Sequence, residues 1–116
     1  MASWTLHYWE SGQGQALEAW FDKLSKQQFQ AVAKELKLLE RCGNTLRLPH
    51  SRSLGRGLFE LRERQFGYRI YYGFIPEHII VLLQSGNKKS QQNDIAIARK
   101  RLGTSKSFFV GDCNEN

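Results

Sequence analysis

Arginine is missing from the first forty residues of this 116-residue chain, and all nine arginines come afterwards. Cysteine is scarce: Cys42 and Cys113 stand far apart, without CxxC or metal-ligand spacing, and two unpaired thiols suit a reducing cytosol. No apolar run approaches the roughly 20 residues that cross a bilayer, so no membrane partner is expected. The opening MASWTLHYWE has no basic region ahead of an apolar one and carries Glu10. A secretory signal is therefore not expected, and the expected location is the cytoplasm. No residue set has metal-ligand spacing, and neither a metal nor another cofactor is expected. The glycines of SGQGQ (11–15) and LGRG (54–57) fit no nucleotide-binding fingerprint, since a P-loop lysine and a suitably placed strand are both wanting. Apolar residues make up an ordinary 41%, so nothing suggests disorder, and the length suits one domain with a single modest core.

What is present is charge, unevenly placed. Residues 1–40 carry four lysines and five acids, a net −1, while residues 41–116 carry thirteen basic residues and six acids, a net +7. A basic half of this kind points to a polyanion, most often nucleic acid. A solvated basic surface, or one that meets an acidic protein, is the alternative.

The chain opens on SWTLHYWE, a loosely alternating aromatic and β-branched stretch that predicts a strand. Leu17, Trp20, Phe21 and Leu24 fall at helical spacing. SKQQ (25–28) predicts a capping box and a second helix with Phe29, Val32, Ala33, Leu36 and Leu39 inward, ending near Gly43. These two helices form a helical hairpin. Residues 44–56 read as a basic loop with Arg47, Arg52 and Arg56. Next come the hairpin GLFELRERQFGYRIYY (57–72) and HIIVLLQS, whose continuous apolar run suits a strand buried on both faces. SQQNDIAIARKRL predicts a short closing helix, and residues 104–116 read as a polar tail after a single domain over 1–103. The fold class is α+β: a small, mostly antiparallel sheet with helices packed on one face.

The hairpin contains a conflict. With a turn through Gln65–Phe66 or Phe66–Gly67, and not through a three-residue loop, alternation places Glu60, Arg62, Arg69 and Tyr71 on one face, with Arg62 opposite or diagonal to Arg69. Like charges across a strand pair destabilise it, which calls for an anion between them. Glu60 is one candidate, in an Arg–Glu network. A phosphate is the other, since guanidinium binds it through two parallel hydrogen bonds and stays charged. GNKKSQQ (86–92) then places Lys88 and Lys89 at the start of the last helix, where free amides and the helix dipole favour an anion.

The run from GLFELRERQFGYRIYYGF through HIIVLLQSGNKKSQQNDIAIARKRL, with the amphipathic pair ALEAWFDKLSKQQFQAVAKELKLLERCG before it, resembles the RelE/ParE superfamily of toxins. The resemblance is nearest to its HigB-like, phage-related branch, covers roughly residues 4–102, and lies in the order and spacing of motifs. It implies a RelE-like fold and a toxin held inactive by a cognate antitoxin, a HigA-like helix-turn-helix protein. Most such relatives cleave messenger RNA on the ribosome, whereas the ParE branch poisons DNA gyrase. By position, Arg62 and Arg69 match hairpin residues that contact the scissile phosphate, and Lys89 matches a basic residue after the last strand. Glu60 stands where some nucleases have lysine. Ile95 replaces a tyrosine of some relatives, and their catalytic histidines have no counterpart.

Metal-free RNA cleavage needs a base for the ribose 2′-hydroxyl, a cationic clamp for the phosphorane and an acid for the leaving 5′-oxygen. Arg62, Arg69 and Lys89 supply the clamp. Arginine is no base, which leaves Glu60 for that role, provided no arginine locks it, and Lys89 as the acid. His50 is second for either role; His7 and His78 have none. Arg47, Arg52, Arg56 and Lys88 would follow RNA backbone without sequence preference, and Tyr71 would either stack on an unpaired base or pack within its strand. The rival readings are a non-enzymatic gyrase inhibitor and an inactive binding module.

Overall fold

The computed structural model describes residues 4–9 and 16–114, with side chains at 4–9 and 17–105. The SGQGQ glycines, the Cys113 side chain and the last two residues of the expected tail lie outside the described residues. The described elements run β1 (Thr5–Tyr8), α1 (Ala16–Asp22), α2 (Lys26–Cys42), β2 (Ser51–Gly55), β3 (Leu58–Glu63), β4 (Tyr68–Ile75), β5 (Ile79–Asn87) and α3 (Gln91–Asn114). The five strands form one sheet in the order β1-β5-β4-β3-β2. Only β1 is parallel to its neighbour; every other pairing is antiparallel. The mixed, mostly antiparallel α+β architecture follows from this.

Both faces of the sheet are covered, and this corrects the expectation of helices on one face. Leu61, Ile70, Tyr72, Ile80 and Leu82 form a core with Leu17, Phe21, Val32 and Leu39 of α1 and α2. Leu58, Tyr71, Ile75, Val81 and Leu83 meet Ala98 and Leu102 of α3 on the other side. The physical reason lies in β5, whose IIVLL run is apolar at every step and needs cover above and below. A bulge between β4 and β5 pairs Tyr71 with Gln84 but Tyr72 with Leu82. The inserted residue lets both Leu83 and Gln84 serve the α3 side, one in the apolar cluster and one in hydrogen bonds to α3.

Three local expectations need adjustment. The expected loop 44–56 contains β2, paired with β3 through Ser51–Leu61 and Arg52–Glu60. Phe29 is 48% exposed. Its ring sits edge-on to Phe21 of α1 at 6.3 Å, while Val32 and Leu39 reach the core. Finally, α3 is not short: it continues to Asn114. No proline interrupts it, and a glycine such as Gly103 inside a helix is unfavourable by only about 1 kcal/mol. The Ser25–Gln28 capping box is present in full, with N···O distances of 2.9 and 3.1 Å, and α2 stops at Gly43. Among the described residues, no helix is long and apolar enough to cross a membrane.

Candidate functional site

The β3–β4 hairpin sets Arg62 directly opposite Arg69, and Glu60 directly opposite Tyr71. All four share the face that α3 covers. Glu60 is fully buried. Its carboxylate lies 3.3 Å from Arg52 Nη2, 3.5 Å from Arg69 Nε and 4.0 Å from Arg62 Nε. Gln91 Nε2, at the start of α3, donates to Glu60 Oε2 at 2.8 Å. One carboxylate thus answers three guanidiniums. Glu60 Oε1, Arg69 Nε and the Tyr71 hydroxyl are buried without a hydrogen bond, so charge rather than hydrogen-bond geometry holds this part of the cluster. Freedom from arginine, the condition on Glu60 as a base, is not met in this resting arrangement.

Tyr71 is fully buried under α3. Its ring packs with Leu58, Ile75 and Ala98, so strand packing describes it and base stacking does not. Burial, and then the Glu60 charge beside it, pushes its phenol well above the ordinary value of 10.0; Asp94 adds to this and Arg69 opposes it.

The approach of α3 depends on Gly86, which pairs with Arg69 across β4–β5. A Cβ at Gly86 would collide with the Asp94 carboxylate and with Ser90 Oγ. Asp94 is 4% exposed and accepts from Ser90 Oγ at 2.5 Å and Gln84 Nε2 at 2.9 Å. Arg101 continues the seam, donating to Gln84 Oε1 and to the Leu83 carbonyl, both at 2.8 Å, and lying over the Trp9 ring at 4.5 Å. The start of α3 is therefore fixed beside the arginine cluster by buried polar contacts.

At the hairpin end, Arg62, Glu63, Arg64, Gly67, Tyr68, Arg69 and Lys88 line a cleft of about 220 Å³. Four of the seven are cations. Glu63 is committed elsewhere: its carboxylate accepts from the amides of Gln65 (2.5 Å), Phe66 (3.0 Å) and Tyr68 (3.4 Å), closing the turn. Arg62 is about one-third exposed and Arg69 13%. The cleft thus presents guanidinium and ammonium groups with no free carboxylate among its described lining.

Not every expected residue is here. Lys88 lines the cleft; Lys89 is exposed and does not. Arg52 is tied to Glu60 from β2. Arg47 donates to its own loop, to Asn44 O at 2.8 Å and Leu46 O at 3.3 Å. Arg56 sits at the far end of β3, in the β2–β3 turn. His50 is 3.0 Å from Glu35 of α2 through Nδ1. Arg64, Glu63 and Gln91 are additions. ERQFG could have shown Glu63, because a carboxylate just before a tight turn faces its free amides. Only the tertiary fold brings Gln91 to Glu60. Among the described residues, no three His, Cys, Asp or Glu side chains converge as a metal site would require.

A family model described as phage-derived protein Gp49-like matches residues 19–103, a span that holds every residue of the cluster and the cleft. Among solved structures, the E. coli toxin RelE, as a double arginine-to-alanine mutant in the free state, is similar with a TM-score of 0.63. Identity is 18%, over 86% of this chain and 98% of that one, so the likeness is one of fold. No curated protein matches. With the family model covering most of its length, and a RelE-like fold carrying the hairpin cleft, the chain belongs to the phage-derived Gp49-like family.

Proposed function

We propose that this protein is the toxin of a toxin–antitoxin pair, and that it cuts messenger RNA on the ribosome. The observation that carries the reading is the Arg62–Arg69 cross-strand pair at the mouth of a cleft shared with Arg64 and Lys88. Two guanidiniums side by side are unfavourable unless an anion joins them, and a phosphodiester suits their planar donors. The clamp stabilises the extra negative charge of the phosphorane as the 2′-oxygen attacks.

In this reading the incoming phosphate competes with Glu60 for the same arginines. Arg62 is the loosest of the three, at 4.0 Å, and turns most readily to the phosphate. Glu60 accepts the 2′-hydroxyl proton only once the phosphate has drawn Arg52 and Arg69 from it as well. Lys88 at the rim gives a proton to the leaving 5′-oxygen, with Lys89 beside it outside the cleft. Partners are the messenger and ribosome, and an acidic or amphipathic segment of a HigA-like antitoxin that neutralises the basic surface.

One observation favours a second reading, binding without cleavage: Glu60 and Glu63 are both buried and already engaged. Gyrase inhibition belongs there. The test is cell-free translation of a defined message with wild type, Arg62→Ala and Arg62→Lys, mapping RNA 5′ ends by primer extension with and without ribosomes. New ends that require ribosomes and vanish in Arg62→Ala are expected. Intact RNA together with growth arrest by the wild type would reject the nuclease and make gyrase the next target.

A further inference from the structure

The β2–β3 turn carries a charge where its backbone favours none. Gly55 pairs with Leu58, leaving Arg56 and Gly57 as a two-residue loop with φ of 52° and 83°. A hairpin turn with both central residues at positive φ takes Asn, Asp or Gly by preference, and arginine gains nothing from the conformation. Arg56 is exposed, and among the described residues it has no ion-pair partner. From α3, Arg99 donates to Gly55 O at 3.2 Å and to Leu54 O at 3.1 Å, pinning the turn with part of its five-donor guanidinium. Arg56 and Arg99, with Leu102 and Gly103, line a cleft of about 170 Å³ with no carboxylate among its described lining.

This corner lies at the opposite end of β3 from Arg62, about 14 Å along the strand at the usual rise per residue. Both ends are on the side of the sheet that α3 covers. Between them Arg52, 45% exposed, sits across from Glu60 on β2. The basic groups therefore run the length of the β2–β3 edge. We propose that the Arg56–Arg99 corner is a second phosphate subsite, which holds the backbone of the same single RNA strand several nucleotides from the one in the hairpin cleft. The proposal rests on the RNA reading of that cleft. It adds a minimum substrate length.

The test uses the full chain and 2′-O-methyl oligoribonucleotides, which bind but cannot be cut, in a ladder from dinucleotide to octanucleotide. Arg56→Gly and Arg56→Asn remove the charge while suiting a positive φ, so Tm stays level or rises; Arg56→Lys keeps the charge. Wild type and Arg56→Lys should gain affinity with length, and Arg56→Gly should stop gaining beyond the shortest oligonucleotides. Its log K against log salt slope should fall by about 0.7, one single-strand phosphate contact. Arg62→Ala should weaken every length alike. Equal length dependence in wild type and Arg56→Gly overturns the subsite while leaving the hairpin cleft standing. Failure of the wild type to bind any oligonucleotide overturns both. If polyglutamate shows the same dependence on Arg56 as RNA, the corner serves an acidic protein and the assignment is wrong. A fall in Tm for both Arg56→Gly and Arg56→Asn makes the arginine structural and also overturns it.

Discussion

Glu60→Gln is the sharpest probe of how the arginine cluster is held together. The substitution keeps the shape and one acceptor but removes the negative charge that, among the described residues, pairs with Arg52, Arg62 and Arg69. Breaking a buried pair by neutralising one partner costs about 3–5 kcal/mol when the survivor stays buried. Arg52 and Arg62 are 45% and 35% exposed and can turn to water, so they contribute little to that figure. Arg69, at 13%, cannot. The stranded charge at Arg69, reduced by the acceptor that Gln retains, sets an expected loss of about 2–3 kcal/mol. For a domain of this size that is on the order of 10 °C in Tm. The assay is urea unfolding, with the slope compared between variants so that stability is separated from denatured-state effects. The decisive measurement is the cycle with Arg69→Met: with the buried cation gone, Glu60→Gln should cost at least about 1 kcal/mol less than in wild type. A Glu60→Gln protein within about 0.5 kcal/mol of wild type, or the same loss in both backgrounds, would refute the account of Glu60 as the anion that holds Arg69.

Two further outcomes are expected. Gly86→Ala should destabilise by about 1–3 kcal/mol through the clash with Asp94 and Ser90, and amide exchange should rise first in the opening turns of α3. Raised phenols set the alkaline limit. Burial, and for Tyr71 the Glu60 charge, holds Tyr71 and Tyr72 un-ionised in the folded state above the ordinary value of 10.0. The unfolded chain loses those protons first, so stability is full below about pH 10 and falls above it. Urea midpoints across roughly pH 8–11, beside the tyrosinate absorbance of folded protein, check the direction.

Much of this site can be read from the letters once a two-residue turn is assumed within RQFG, because a register fixes faces. Given such a turn, alternation puts Arg62 opposite or diagonal to Arg69, while the S-x-x-Q spacing gives the Ser25–Gln28 cap and the continuous apolar run gives the buried β5. What was hidden has a common physical cause: it depends on what lies across the sheet. SRSLG has neither alternation nor bulk, and becomes a strand only because β3 offers it an open edge. Whether Tyr71 faces water or α3 depends on a helix twenty residues further on, as does the contact from Gln91 to Glu60. Lys88 and Lys89 are adjacent, and sequence spacing did not show which of them borders the cleft.

The sheet also has a history written into its edges. β2 to β5 follow one another along the chain and close by short turns, whereas Thr5 must find Ile79 to make β1 the parallel edge. That closure spans about ten times the separation of Arg62 and Arg69, which adds about 2 kcal/mol of chain entropy over the hairpin. Loop closure therefore favours assembly of the meander that carries the arginines ahead of the edge beside it. During synthesis β1 leaves the ribosome first, yet it has no neighbour to pair with until β5 has emerged.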